Sequence, residues 1–310
     1  MKKNIYFSWS FLAISLTAFA QDVTFFSSNP PLTSVNPSFA GSNGLLRVQT
    51  SYLQESYRYS NYSDVSFFGG ADGYVKRLNA GVGLSVISQS DIGGIYKTTQ
   101  VNAIYAQHFS LIDNKLKIIP SLQVTYGEKR VDLGRFTFGN TGSTSIWGYT
   151  EPTSRKDYFD GSAGLLVNYK NFYGGATVFH LNQPDIGLAG TSKLPARFSA
   201  YTSYNLHVSE RALINFSARL EAQHAYNYAQ LAVNAVFFKH LITGLGYIPD
   251  GYHPLLICLG YRHNFMSASM SYQGDFTAYH GQLPGRVGIN LSYNLRNKEQ
   301  RKQLTNFESW

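Results

Sequence analysis

The sequence predicts an all-β chain: a transmembrane antiparallel outer-membrane β-barrel of about fourteen strands, preceded by a short N-terminal periplasmic leader segment. Three observations point there. The first is a period of two. In Leu116, Ile118, Pro120, Leu122, Val124 and Tyr126 every second residue is apolar, while Lys117, Ser121, Gln123 and Thr125 fill the places between. The alternation returns in Val287, Ile289, Leu291 and Tyr293 and in Met266, Ala268, Met270 and Tyr272. Successive strand residues face opposite sides of a sheet, so each segment has one apolar and one wet face. The second is composition. Aromatics are 15% and charged residues 14% of 310 residues, with Tyr 23, Phe 21 and Gly 28, which suits a wall whose lipid-facing residues alternate with a polar lumen. The third is that tight and long connections alternate along the chain.

Taken in order, residues 1–20 read as a secretory signal peptide. Lys2 and Lys3 precede an apolar stretch over 5–19, and Ala18, Phe19 and Ala20 form a small-x-small cleavage site before Gln21. The stretch is shorter than the roughly 20 apolar residues of a spanning helix and is broken by Ser8, Ser10, Ser15 and Thr17. A leader follows over 21–44, a barrel over 45–295 and a polar periplasmic tail over 296–310.

Alternation and flanking turn residues place strands near 45–54, 62–75, 80–88, 97–109, 115–127, 158–169, 172–181, 197–208, 211–222, 227–238, 241–248, 254–262, 265–273 and 285–295. Tight polar turns at 76–79, 111–114, 170–171, 209–210, 239–240 and 263–264 alternate with connections that are generally longer. Two of these, 128–157 and 182–196, are rich in Gly, Pro, Ser, Thr and Asn. Outer-membrane barrels keep short turns on the periplasmic side and longer loops outside, and an even strand count returns both termini to the periplasmic side. Closure is required because hydrocarbon offers no partner to an open sheet edge. Tyr52, Tyr126, Tyr169, Tyr204 and Tyr261 fall near proposed strand ends, as interfacial girdles do.

The wet faces carry Lys117, Arg197, Arg219, Glu221, Arg262 and Arg286, which would line an open pore or pair across a filled lumen. A barrel this wide needs either water or a plug inside. The net charge of +8, or +6 without Lys2 and Lys3, is scattered and gives no nucleic-acid footprint. Cys258 stands alone between apolar neighbours and reads as a small buried side chain. The eight histidines show no metal spacing, and His224, after Glu221 and Gln223, reads as a solvated lumen or rim residue. No catalytic residue, cofactor or metal is expected.

Residues 24–45 hold Asn29 and Pro30, then Asn36, Pro37, Ser38, Phe39, Ala40 and Gly41. Further on stand Gly81, Val82, Gly83 and Leu84, then Asp91, Ile92, Gly93 and Gly94, and later His180, Leu181, Asn182, Gln183 and Pro184 before Leu194, Pro195, Ala196 and Arg197. This resembles the PorP/SprF family of Bacteroidetes outer-membrane proteins, whose opening pattern is an Asn and Pro followed by a small residue, an aromatic, a small residue and Gly. Two features depart from it. The family's Arg, Gln and Trp cluster at the close of the first strand is replaced by Tyr52, Leu53, Gln54, Glu55 and Ser56, and the tail overruns the last strand.

The resemblance implies an outer-membrane component of the type IX secretion and gliding apparatus. Such a protein supports export or surface attachment of proteins with a C-terminal sorting domain, alongside periplasmic and outer-membrane components of that machine and in contact with outer-membrane lipid, without catalysis. A passive pore for small solutes is the alternative. Within the leader, Asn29, Pro30, Asn36, Pro37, Phe39 and Gly41 are the candidate plug or partner contacts, with an ordered cap on the periplasmic mouth as the other reading.

Overall fold

The computed structural model describes residues 22–25, 27, 30–44, 46–56, 62–113, 115–132, 153–188, 190–249, 254–274 and 285–295. The expected signal peptide, Asn29 and the tail over 296–310 lie outside the described residues. One antiparallel sheet closes on itself. Its segments are β1 Arg47–Ser56, β2 Ser63–Val75, β3 Ala80–Asp91, β4 Tyr96–Gln107, β5 Phe109–Leu111, β6 Leu116–Asp132, β7 Thr153–Tyr169 and β8 Phe172–Phe179. They continue as β9 Arg197–Ser209, β10 Ala212–Gln223, β11 Tyr226–Phe237, β12 Leu241–Tyr247, β13 Leu255–His263, β14 Met266–Gly274 and β15 Gly285–Asn294. Segment β5 continues β4 past a break at His108 along the same partner, β6, so the barrel has 14 staves. The seam runs between β1 and β15, from Arg47 opposite Asn294 to Glu55 opposite Arg286.

The two faces of each stave sort as the alternation requires, with apolar residues outward. Leu84, Leu122, Phe159 and Leu245 are 62–69% exposed, while Asn205, Asn215, Asn234, Ser271 and Gln273 are fully buried on the lumen side. In water that arrangement would expose a large apolar surface; in hydrocarbon it is the favoured one, because lipid covers the outer face and strand pairing satisfies the backbone. No helix among the described residues is long and apolar enough to cross a membrane.

The largest difference from the expected strands lies at β6 and β7, which run five residues further than the alternation at the end of the long connections. There the outward positions become charged: Glu128 pairs with Arg155 at 3.0 Å, and Arg155 with Asp157 at 3.0 Å. A hairpin that has left the hydrocarbon needs no apolar face, so hydropathy period cannot reveal it.

At the opposite end the turns are tight. Ile112 with Asp113 and Phe238 with Lys239 take left-handed backbone conformations, the twist that two-residue hairpin loops need. The even number of staves brings the start of β1 and the end of β15 to this short-turn end. The leader does not stay there.

Candidate functional site inside the lumen

The described residues of the leader run through the barrel. Asp22 lies beside the outer ends of β9 and β10, its backbone N–H donating to Gln223 Oε1 at 3.0 Å, and Asn43 donates to Asn294 Oδ1 at the short-turn end at 2.9 Å. The described leader therefore runs from Asp22 at the long-connection end through the lumen to β1. An extended, proline-bearing chain leaves many backbone groups unpaired, and burial makes each expensive unless the wall answers it.

The lower part is the Asn36 to Gly41 motif. A one-turn helix, Leu32–Val35, is followed by a 3-10 turn, Pro37–Phe39. Asn36 caps the second: its Oδ1 accepts from Ser38 N at 2.9 Å, and Pro37 fills the first position, where a missing N–H costs nothing. The other side of the same amide reaches the wall, Nδ2 donating to Leu165 O at 3.1 Å and Ala176 O at 3.4 Å. The fit needs Gly164 and Gly175, where an added side-chain carbon would stand 2.5 Å and 2.9 Å from the Asn36 amide. Next, Ser38 and Ser121 hydroxyls lie 2.8 Å apart. Phe39, fully buried, packs against Tyr173 and Tyr201 with ring centres 6.3 and 5.6 Å away. Ala40 O meets His108 Nε2 at 3.0 Å, at the break between β4 and β5. Gly41, at φ 68°, passes so close to the wall that a side chain on Gly81 would stand 1.9 Å from Ala40 O.

Below the motif a buried ion pair fastens the chain. Arg47 Nε meets Asp72 Oδ1 at 2.9 Å, with the side chains 0% and 5% exposed. The guanidinium also donates to Phe39 O at 3.0 Å, and Gly41 N–H donates to Asp72 Oδ2 at 2.8 Å. Both charges thus bind wall and leader together.

A second polar clasp holds the upper part. Thr24 Oγ1 donates to Glu221 Oε2 at 2.8 Å, and Arg219 donates to Glu221 Oε1 and to Phe25 O, each at 3.0 Å. Asp22 bonds His180, whose other ring nitrogen meets Asp160 at 2.7 Å. Ser27 lies 3.1 Å from Ser271 and accepts from Asn290 at 2.8 Å. Phe25 anchors this stretch against Leu53, Phe68, Tyr228 and Leu256.

The electrostatics of the clasp have a sign. Burial disfavours charge on His180, but the Asp22 and Asp160 carboxylates outweigh it and lift its pKa to about 9. Burial likewise opposes ionisation of Asp22, yet His180 and Arg197 hold its carboxyl well below the usual range. A histidine kept charged above its ordinary 6.5 contributes stability that is complete below that value and lost as pH rises through about 9. The Asp22 contribution is present above 3.8 and lost toward acid. Between pH 7 and 10 the urea midpoint of the folded barrel is therefore expected to fall, and His180→Asn to show a smaller fall from a lower starting point. An equal pH dependence in both proteins would remove His180 from the clasp.

Of the expected contacts, Asn36, Pro37, Phe39 and Gly41 meet in the lower motif, Pro30 is buried above it, and Asn29 lies outside the described residues. Arg197, Arg219 and Glu221 converge on the upper clasp. Lys117, Arg262 and Arg286 sit on the lumen side away from it, Arg286 pairing with Glu55 at 2.7 Å. Sequence reasoning missed Arg47, Asp72, Asp160 and His180 as a set. The available signal was that Arg47, Asp72 and Asp160 are charged residues at wet-face positions of strands.

The sequence matches the family described as type IX secretion system membrane protein PorP/SprF over residues 18–293. Among solved structures it is similar to the CymD monoaromatic hydrocarbon channel, with a TM-score of 0.54 and 9% identity over 88% of this chain and 94% of that one. It also resembles the Pseudomonas putida toluene transporter TodX (TM-score 0.49, 11% identity, 87% and 94% covered) and Acinetobacter baumannii Omp33 (TM-score 0.45, 11% identity, 81% and 98% covered). At such identities the CymD likeness speaks to the fold. No curated protein matches the sequence.

Proposed function

Because the chain belongs to the PorP/SprF family of type IX secretion system membrane proteins, we propose that it supports the export or surface attachment of proteins carrying a C-terminal sorting domain, as a non-catalytic barrel plugged by its own N-terminal segment. It is an outer-membrane β-barrel and associates with other components of the type IX machine. In this reading the periplasmic parts of the machine meet the short-turn end, lipid covers the apolar wall, and the client passes or docks at the long-connection end, which faces outward as longer loops do.

The observation that supports a dedicated secretion component over a passive pore is the packing of the leader. Between Asp22 and Asn43 its described residues are bound to the wall by paired charges, buried rings and side-chain hydrogen bonds. Those contacts fill the path that a passive, water-filled pore keeps open. Deleting the gene should abolish surface display of the client, and the purified protein should be silent in planar bilayers. A steady open channel together with undiminished display would favour the passive pore.

A finer test concerns the lower motif. Replacing Asn36 and Pro37 together by Ala removes a cap worth about 1 kcal/mol and two donations to the wall. The barrel is expected to insert at normal levels while client display falls severalfold; display equal to wild type would separate the motif from export.

A further inference from the structure

The two ends of the barrel differ in how their charges are met. At the long-connection end the cations have acids beside them: Arg130 and Arg155 pair with Glu128, and Lys156 with Asp185. At the short-turn end Lys76, Arg77, Lys115, Lys170, Arg211 and Lys239 stand in five of the six hairpin turns, against two acids, Asp113 and Glu210. Lys76, Arg77, Lys115 and Arg211 are exposed, and none of the four takes part in an ion pair among the described residues. Backbone bonds between neighbouring turns hold this arc of charge in place. Lys170 N–H donates to Lys115 O at 3.1 Å, and Lys239 N–H to Arg211 O at 3.2 Å.

The same turns present large apolar side chains: Leu78 is 53%, Ile112 62% and Phe238 72% exposed. Rings stand close by. His240 stacks on Tyr261 and His263 with centres 5.7 and 5.8 Å away, and Lys170 Nζ lies 5.3 Å from the Tyr169 ring centre. A cation beside an exposed apolar side chain suits the headgroup zone, where the charge meets phosphate and the apolar group enters the acyl boundary. The turns that carry Leu78, Ile112 and Phe238 are spread around the circumference, between β2 and β3, β5 and β6, and β11 and β12. A surrounding leaflet covers all three at once; an acidic protein seated on one side of the rim would answer part of the charge and leave apolar tips in water. The excess of positive charge selects headgroups that carry net negative charge over zwitterionic ones.

We propose that the short-turn rim binds the headgroups of anionic phospholipids in the periplasmic leaflet, the turn cations meeting phosphate while Leu78, Ile112 and Phe238 enter the acyl boundary. The surface rests on the placement of the barrel in the outer membrane and stands apart from the secretion reading.

The test incubates full-length protein in non-ionic detergent with equal amounts of dioleoyl phosphatidylglycerol and dioleoyl phosphatidylcholine, repurifies it, and counts the retained lipids by mass spectrometry. Wild type is expected to retain about fivefold more phosphatidylglycerol, the ratio that ~1 kcal/mol from one basic residue near an anionic surface gives. Raising the salt from about 0.05 M to about 0.5 M should remove most of that preference. Changing Lys76, Arg77, Lys115 and Arg211 together to Gln should bring the two lipids to parity, whereas Arg130→Gln with Lys156→Gln, at the other end, should keep the preference. Equal retention by wild type would assign the cations to an acidic protein face and overturn the proposal. So would a preference that salt does not diminish, a fourfold variant that keeps it while folded as judged by unheated gel mobility, or an equal loss in the variant of the other end.

Discussion

Replacing Asp72 by Ala is expected to destabilise the folded barrel by about 3–5 kcal/mol, the loss that follows when one member of a buried ion pair is removed and the other charge stays. Arg47 is fully buried and would lose its carboxylate, while Gly41 N–H would lose its acceptor. The measurement is the urea midpoint of the unheated, fast-migrating form on a mild gel. Removing Arg47 as well, as Arg47→Met with Asp72→Ala, should recover part of the loss because no stranded charge remains. A single variant as stable as wild type would mean that the pair does not fasten leader to wall.

The second large effect concerns conduction. Deleting residues 22–44 should convert a silent protein into one with steady open-channel steps, while the barrel itself still folds. Folding survives because the seam between β1 and β15 and every hairpin pair form without the leader. Conduction appears because Leu32, Val35, Phe39 and Ala40, which pack on Ile104, Ile119, Leu166 and Tyr201, leave the lumen with it, and a barrel of this many strands is too wide for its own side chains to fill. A deletion variant that inserts and remains silent would place the barrier in the wall or outer loops instead.

Much of this was legible in the chain because membrane strands obey a strict rule. Each residue of β14 and β15 faces either lipid or lumen, so Met266, Ala268 and Met270 against Ser267, Ser269 and Ser271 fix both strand and face without tertiary knowledge. The rule ends where water begins, so the charged tops of β6 and β7 carry no strand signal in the sequence. It also says nothing about which lumen residues meet. Arg219 and Glu221 are two apart on one wet face and fall side by side there; His180 and Asp22 lie 158 residues apart in sequence and meet only because the leader runs through the barrel. The leader itself has no period. Asn36, Pro37 and Gly41 announce a cap, a turn and a left-handed backbone, and the place where that turn docks was set by Gly81, Gly164 and Gly175, whose absent side chains leave no hydropathy signal.

The most direct test of a barrel threaded by its own N-terminal segment is a pair of cross-links. The Ser38 and Ser121 hydroxyls lie 2.8 Å apart, and those of Ser27 and Ser271 3.1 Å apart, on the lower and upper parts of the leader. With Cys258 replaced by Ser, each pair changed to Cys should close into a disulfide in intact outer membranes. Loss of both free thiols, with denatured protein retaining a mobility shift that reductant abolishes, is the predicted result. Thiols that stay free in both pairs and react fully with an aqueous maleimide would contradict the account.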